Sequence, residues 1–242
     1  MSGLKENKDR IEARILAACG RSGRDPADIR LIWVSKNHPR ERVLEALALG
    51  ARRFGENRVQ EALEKFPLRT TTADTLVDPV TYDLHLIGRL QKNKVRKILP
   101  LVSTIHSIDS LELLEAVNRI AGELGLRRDV FLQVNTSREP NKGGFEPEEM
   151  PTVLQALKST PLPHLRLVGL MTMGPLAGGP EEARPCFREL RDLLASIRRD
   201  GAFPDMAWLS MGMTGDFEVA VEEGAHYLRV GTGLFGQPET AP

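Results

Sequence analysis

The sequence predicts an α/β protein, a single (β/α)8 barrel of the TIM type preceded by one extra helix. Three observations carry this prediction. Eight short apolar runs alternate with segments of helical period, the pattern of parallel strands joined by crossover helices. The 242 residues match the usual size of such a barrel. No G-x-G-x-x-G follows the first strand, which weakens the alternative of a doubly wound dinucleotide-binding sheet.

The elements follow in order. Ile11, Ile15 and Cys19 recur at helical spacing, so residues 5–20 read as the leading helix, ended by Gly20. Leu31–Ser35 is the first strand. Pro39 opens a helix with Val43, Leu44, Leu47 and Ala48 on one face, and Gly50 ends it. Arg52–Phe54 is a second strand, and Val59, Ala62, Leu63 and Phe66 mark the helix after it. Residues 67–83 hold two prolines and three consecutive threonines without a period, which predicts a long loop. Leu84–Ile87 is the third strand, followed by a short basic helix over Leu90–Leu99. Val102–His106 is the fourth strand, and Asp109 or Ser110 caps the next helix. Asp129–Val134 is the fifth strand, with Pro147 or Pro151 opening its helix. Leu165–Leu170 is the sixth strand, and Phe187, Leu190, Leu194 and Ile197 mark a long helix. Ala207–Leu209, a short helix around Phe217–Val221, and His226–Val230 complete the set, so residues 1–242 are expected to form one domain.

Composition narrows the function classes. Lys plus Arg (33) balances Asp plus Glu (33), so no global charge points to nucleic acid or to a membrane surface. Arg89, Lys92, Lys94, Arg96 and Lys97 form a local basic patch, but no aromatics interleave it. It reads as a solvated face, with a binding partner or second phosphate site left open, and nucleic acid is not expected. The N-terminus is polar, no apolar run reaches membrane length, and Cys19 and Cys186 fall in predicted helices. A cytoplasmic protein with reduced, buried thiols is expected. The five histidines show no metal-ligand spacing, and no metal is expected.

In such a barrel the chemistry lies at the C-terminal ends of the strands. Lys36 follows the first strand, at the mouth of the core and partly shielded from water. A neutral lysine amine forms Schiff bases with carbonyl compounds, although a bland strand-end lysine has the same local sequence. Gly55-Glu56-Asn57, Gly88-Arg89, Asn135 and Met171-Thr172 follow strands two, three, five and six. Ser210-Met211-Gly212-Met213-Thr214 and Gly231-Thr232-Gly233 follow strands seven and eight, where barrels often hold a phosphate. Glycine admits close backbone approach, and Ser or Thr adds donors. Arg229 alternates with Leu228 and Val230, which aims it into the mouth. Its acceptor is either a ligand or a barrel carboxylate. A lysine facing a phosphate site suits a phosphorylated aldehyde, and pyridoxal 5′-phosphate fits.

Ordered blocks extend this reading. They are Val34-Ser35-Lys36, Phe54-Gly55-Glu56-Asn57 with Val59-Gln60-Glu61, His85-Leu86-Ile87-Gly88 with Leu90-Gln91 and Asn93-Lys94, and Val134-Asn135 with Lys142 and Gly144. Gly169-Leu170-Met171-Thr172, Leu209-Ser210-Met211-Gly212-Met213, and Arg229-Val230-Gly231-Thr232 with Phe235-Gly236 follow. Together they closely resemble the pyridoxal phosphate homeostasis protein family. The resemblance implies a barrel like the N-terminal domain of alanine racemase (fold type III), with Lys36 carrying the cofactor as an internal aldimine. It implies phosphate contacts from Ser210, Thr214, Gly231 and Thr232, with Met211 and Gly212 in the same turn. It also implies Arg229 at the pyridine nitrogen, Asn57 near the ring, and Lys142 in cofactor handling. The implied role is to buffer or deliver the cofactor in vitamin B6 homeostasis, without established catalysis, which makes apo-enzymes that use it candidate partners. Asn37, Arg89 and Thr214-Gly215 depart from the family pattern.

The competing class is a racemase using the same lysine. Two-base racemisation needs an acid/base group on each face of the substrate. Alanine racemase takes its second group, a tyrosine, from a C-terminal β-domain, and only six residues follow Gly236 here, so that domain is not expected. Tyr82 falls in the predicted loop and Tyr227 near the start of its strand, far from the mouth. A Schiff-base aldolase is the third class, separated by its lack of cofactor. A monomer is expected.

Overall fold

A computed structural model describes residues 2–66 and 82–238. Eight parallel strands close into a barrel in sequence order: β1 (Arg30–Val34), β2 (Arg53–Glu56), β3 (Asp83–Leu86), β4 (Thr104–Ile108), β5 (Arg128–Gln133), β6 (Leu165–Met171), β7 (Trp208–Met213) and β8 (Tyr227–Val230). Strand β8 closes on β1, with Arg30 level with Tyr227 and Trp33 with Val230. Helix α1 (Ser2–Ser22) precedes β1. Helices α2 (Arg40–Ala48), α3 (Val59–Lys65), α4 (Val95–Ile98), α5 (Leu111–Glu123), α6 (Met150–Ser159), α7 (Pro180–Asp200), α8 (Phe217–Glu222) and α9 (Thr232–Phe235) follow the strands one by one.

Alternation along each strand sorts the core. Trp33, Leu228 and Val230 belong to the large apolar layer between strands and helices. Ile32, Val34, Phe131, Val168, Met171 and Tyr227 form a second cluster, inside the barrel. The period of two therefore turns Tyr227 and Arg229 inward and Leu228 and Val230 outward.

Several boundaries move, each for a local reason. Helix α1 runs through Gly20 and stops at Gly23, whose φ of 67° reverses the chain. Arg24 N–H then closes on Cys19 C=O at 3.0 Å, the Schellman pattern. The expected basic helix over 90–99 is a 3-10 turn at Lys92–Lys94 leading into the four residues of α4. Val102 belongs to the turn before β4, because its N–H bonds Ile98 C=O at 3.2 Å, and the strand reaches Ile108 instead. Ser110, rather than Asp109, caps α5 by accepting from Leu113 N–H at 3.2 Å. Pro147 opens a 3-10 turn that runs straight into α6, and Pro151 lies in that helix's first turn. Apart from Tyr82 and Asp83, the predicted 67–83 loop lies outside the described residues, and Asp83 starts β3.

The largest shift is in β7. Ser210–Met213, expected as a turn, continues the strand. Ser210 pairs with Tyr227 and Met213 with Arg229, so three steps on β7 match two on β8. The extra residue is a bulge, made possible by Gly212 at φ 91°. A Cβ on Gly212 would sit 2.5 Å from the Ala220 methyl. The bulge leaves Ser210 down in the barrel and lifts Met213 and Thr214 to its mouth.

Candidate functional site at the barrel mouth

A cavity of about 480 Å³ opens at the C-terminal ends of the strands. Of the ten residues expected to bind the cofactor, seven line it: Lys36, Asn57, Lys142, Thr214, Arg229, Gly231 and Thr232. Three do not. Ser210 is fully buried beneath Arg229, Met211 is buried in the layer facing the helices, and Gly212 is the bulge. The expected turn at 210–214 therefore reaches the cavity only through Met213 and Thr214, with Gly215 following them in the wall.

Lys36 follows β1 directly. The residue lines the cavity and is exposed, and among the described residues no hydrogen bond or ion pair engages its Nζ. Arg229 is the opposite case, a cation only 4% exposed. It meets no carboxylate within ion-pair distance among the described residues. Its Nη1 donates to Ser210 Oγ and its Nη2 to Thr172 C=O, both at 2.8 Å. Burial lowers its pKa to about 10, against a weaker pull from Asp216, so the guanidinium stays charged at neutral pH.

Beneath Arg229 a hydrogen-bonded chain runs into the barrel. Arginine can only donate, so Ser210 Oγ accepts from it, and the same hydroxyl is hydrogen-bonded to His106 Nδ1 at 2.8 Å. His106 Nε2 in turn shares a hydrogen bond with His85 Nδ1 at 2.9 Å. His85 Nε2 ends the chain, buried without a hydrogen-bond partner among the described residues. Burial pushes His85 down to about 3. It also pushes His106 well below its ordinary value, helped by His85 and Arg229, so both rings are neutral at pH 7. His106 stacks on Phe131 with centroids 4.4 Å apart, and Tyr227 packs across both histidines.

The turns after β7 and β8 are tied together: Gly233 N–H donates to Thr214 Oγ1 at 3.2 Å. Asp216 Oδ1 accepts from Met213 N–H at 2.6 Å and fixes the start of the first turn. Gly231 lies against β1, where a Cβ would come 3.3 Å from Val34 C=O. Helix α1 backs these turns, with Asn7 Nδ2 donating to Leu234 C=O at 2.8 Å. On the opposite side Lys142 enters from the 135–146 loop. Its ammonium meets Gly174 C=O at 2.5 Å and Ser137 Oγ at 3.1 Å, and it pairs with Glu139. Asn135, expected near the mouth, pins this loop instead, donating to Glu139 C=O at 3.2 Å and Glu146 Oε1 at 3.0 Å.

Sequence reasoning missed Gln133 and Asp109, both in the cavity wall. Gln133 ends β5, and placing that strand end one residue later hid it. Asp109 follows β4 and faces Arg89 at 3.9 Å; a correct end for β4 finds it. In the basic patch Lys92 pairs with Glu112 and Arg96 with Glu123, while Arg89, Lys94 and Lys97 line a second groove beside Asn57. Among the described residues no group of three or more His, Cys, Asp or Glu is arranged to hold a metal, and no helix is long and apolar enough to cross a membrane. Cys19 and Cys186 are buried and unpaired.

A closed parallel barrel with a lysine at the mouth end of its first strand defines a class, and the family model of the alanine racemase N-terminal domain matches residues 7–238. Two curated relatives are named pyridoxal phosphate homeostasis protein. The one from Aquifex aeolicus is 40% identical over 234 residues, covering 96% of this chain and 97% of its own. The one from Pseudomonas aeruginosa is 40% identical over 238 residues, covering 98% and 96%. The chain belongs to the pyridoxal phosphate homeostasis protein family. Among solved structures, an unknown protein from Bifidobacterium adolescentis superposes with a TM-score of 0.85 at 34% identity, covering 96% of this chain and 94% of that one. PipY of Synechococcus elongatus with PLP bound gives 0.77 at 38% identity, covering 93% and 100%. An alanine racemase of Clostridium difficile gives 0.69 at 17% identity over 99% of this chain and 57% of that one, a likeness of fold alone.

Proposed function

We propose that the chain binds pyridoxal 5′-phosphate covalently through Lys36 and buffers or delivers it inside the cell, without turning over a substrate. One observation carries the reading: a single cavity holds an unengaged lysine amine, a buried guanidinium, and two joined turns bearing glycine and threonine. That donor set fits the cofactor, which supplies an aldehyde, a pyridine ring and a phosphate. Lys36 offers the amine for the aldehyde carbon. Arg229 has two N–H groups committed to Ser210 and Thr172, and its remaining donors are available to an aromatic nitrogen. Thr214, Gly231 and Thr232 would hold the phosphate, with Asn57 beside the ring. The bound PLP of the PipY relative supports the same ligand here.

The racemase alternative is not favoured. Among the described residues no tyrosine lines the cavity: Tyr227 is 6% exposed inside the barrel, and Tyr82 packs on Phe54 and Phe66. Lys142, the other cavity amine, has its three donors directed at Ser137, Gly174 and Glu139. Titration with pyridoxal phosphate tests the proposal. The wild type should develop a visible absorption band that Lys36→Ala lacks, and the loaded protein should leave L-alanine unracemised. A colourless wild type, or steady racemisation abolished by Lys36→Ala, would sink it.

A further inference from the structure

Lys36 stands on a buried ion-pair cluster that is not part of the cavity wall. Lys65, the last residue of α3, turns its ammonium inward, with its side chain only 9% exposed. Its three donors go to Ser35 C=O at 2.7 Å, Glu56 Oε1 at 3.0 Å and Glu61 Oε2 at 3.0 Å. Both carboxylates reach onward. Glu56 Oε1 also accepts from the Ser35 hydroxyl at 2.7 Å, and Glu61 Oε2 accepts from Asn37 N–H at 2.8 Å. The cluster thus grips the residue before Lys36 by its carbonyl and hydroxyl, and the residue after it by its amide. It leaves the Lys36 side chain itself free.

The grip holds an unusual conformation. Asn37 has φ 62°, one of two non-glycine residues in the left-handed region among those described. A short polar residue tolerates that region, but surroundings must maintain it. The cluster is also costly to keep. Glu56 is fully buried, and its Oε2 has no hydrogen-bond partner among the described residues. Burial pushes its carboxyl up, against the pull of Lys65 and Ser35. A buried carboxylate and a half-buried one bridged by one ammonium are weak as a stabilising device, so the use of the cluster is to be sought in what it holds.

We propose that Lys65 is the positioning residue for Lys36: through Ser35, Glu56 and Glu61 it fixes the backbone on both sides of Lys36 and aims its amine into the cavity. The proposal rests on the reading of Lys36 as the point of cofactor attachment. Glu61 and Lys65 are four apart on α3 and Glu56 ends β2, so one β–α unit clamps the end of the neighbouring strand.

The test uses Lys65→Met, similar in length and without charge, and Glu61→Ala, which releases the Asn37 amide and one of the three Lys65 bonds and leaves Lys65 on Ser35 and Glu56. Each variant is compared with wild type below the melting temperature of its cofactor-free form. The account expects the dissociation constant for pyridoxal phosphate to rise about tenfold to a hundredfold, the usual cost of a misplaced reacting group. It also expects faster amide hydrogen exchange at residues 36–38 in the cofactor-free protein, with exchange in β5 and β6 unchanged. If Lys65→Met does not fold, Glu61→Ala alone decides. Wild-type affinity in a folded variant, or unchanged exchange at 36–38, overturns the proposal. If wild type and Lys36→Ala take up the cofactor equally, the reading of Lys36 has failed instead, and the two failures are distinguishable.

Discussion

Lowering the pH from 7 to 5 should strip the cofactor-free fold of a large share of its stability. His85 is 3% exposed and held at about 3 in the folded protein, against 6.5 for the free side chain. Burial likewise holds His226 at about 4, with Arg24 and Arg30 adding to it. The folded values lie below the unfolded one, so the unfolded chain binds more protons between about pH 6.5 and about pH 4. Stability is complete above that window and is lost as the pH falls through it. Each histidine that stays neutral when folded costs about 1.4 kcal/mol per pH unit, or about 2 kcal/mol between pH 6.5 and 5. His85 and the less deeply buried His226 together reach at most about 4 kcal/mol, His226 giving the smaller part, and His106 adds in the same direction, beside a typical domain stability of about 5–15 kcal/mol. Glu56 and Asp216 oppose this, because burial raises both, and a folded state that takes up protons early gains as the pH falls. The net loss expected is therefore about 2–4 kcal/mol. Urea denaturation at half-unit steps from pH 7.5 to 5 measures it, and nitrogen-15 shifts of the imidazoles report the tautomers. Equal stability at pH 7 and 5, or a folded-state His106 titrating above pH 6, would refute the reasoning.

Three further outcomes follow from the geometry. Arg229→Met replaces a buried cation that has only neutral partners, so the cofactor-free protein should melt no lower than wild type while its affinity for pyridoxal phosphate falls; a lower melting temperature with unchanged affinity would contradict both halves. Gly88→Ala places a Cβ 2.3 Å from Asn57 C=O, which should cost about 1–3 kcal/mol by thermal unfolding and disturb the Asn57 wall of the cavity. Glu223→Ala removes a buried carboxylate that accepts from Arg184 at 3.1 Å, Arg188 at 3.2 Å and Arg191 at 2.5 Å. It should cost about 2 kcal/mol in urea denaturation without altering cofactor binding.

The barrel was legible because its strands are short apolar runs bounded by glycine and helix caps, and alternation alone turned Arg229 inward. Lys36, Gly231 and Thr232 were legible for the same reason: each follows directly on a strand whose end is marked. Ser210 was misplaced because Met-Gly-Met reads locally as a turn, whereas Gly212 makes a bulge that only the pairing with β8 reveals. The leading helix was cut short at Gly20, since a glycine in a helix and a glycine that ends one look alike until the φ of Gly23 is known. Nothing local joins His85 to His106, 21 residues apart, or Lys65 to Ser35, 30 apart. Pairing of neighbouring strands, β3 with β4 and β1 with β2, brings these pairs together, and a single sequence does not carry that register.

The most direct measurement is where the cofactor is attached. Protein loaded with pyridoxal phosphate is reduced with borohydride, digested, and mapped by mass spectrometry. The account predicts the pyridoxyl mass on the peptide containing Lys36, in about one copy per chain, and none on the corresponding peptide of Lys36→Ala. An adduct on Lys142 or spread over surface lysines, with Lys36 unmodified, would contradict it.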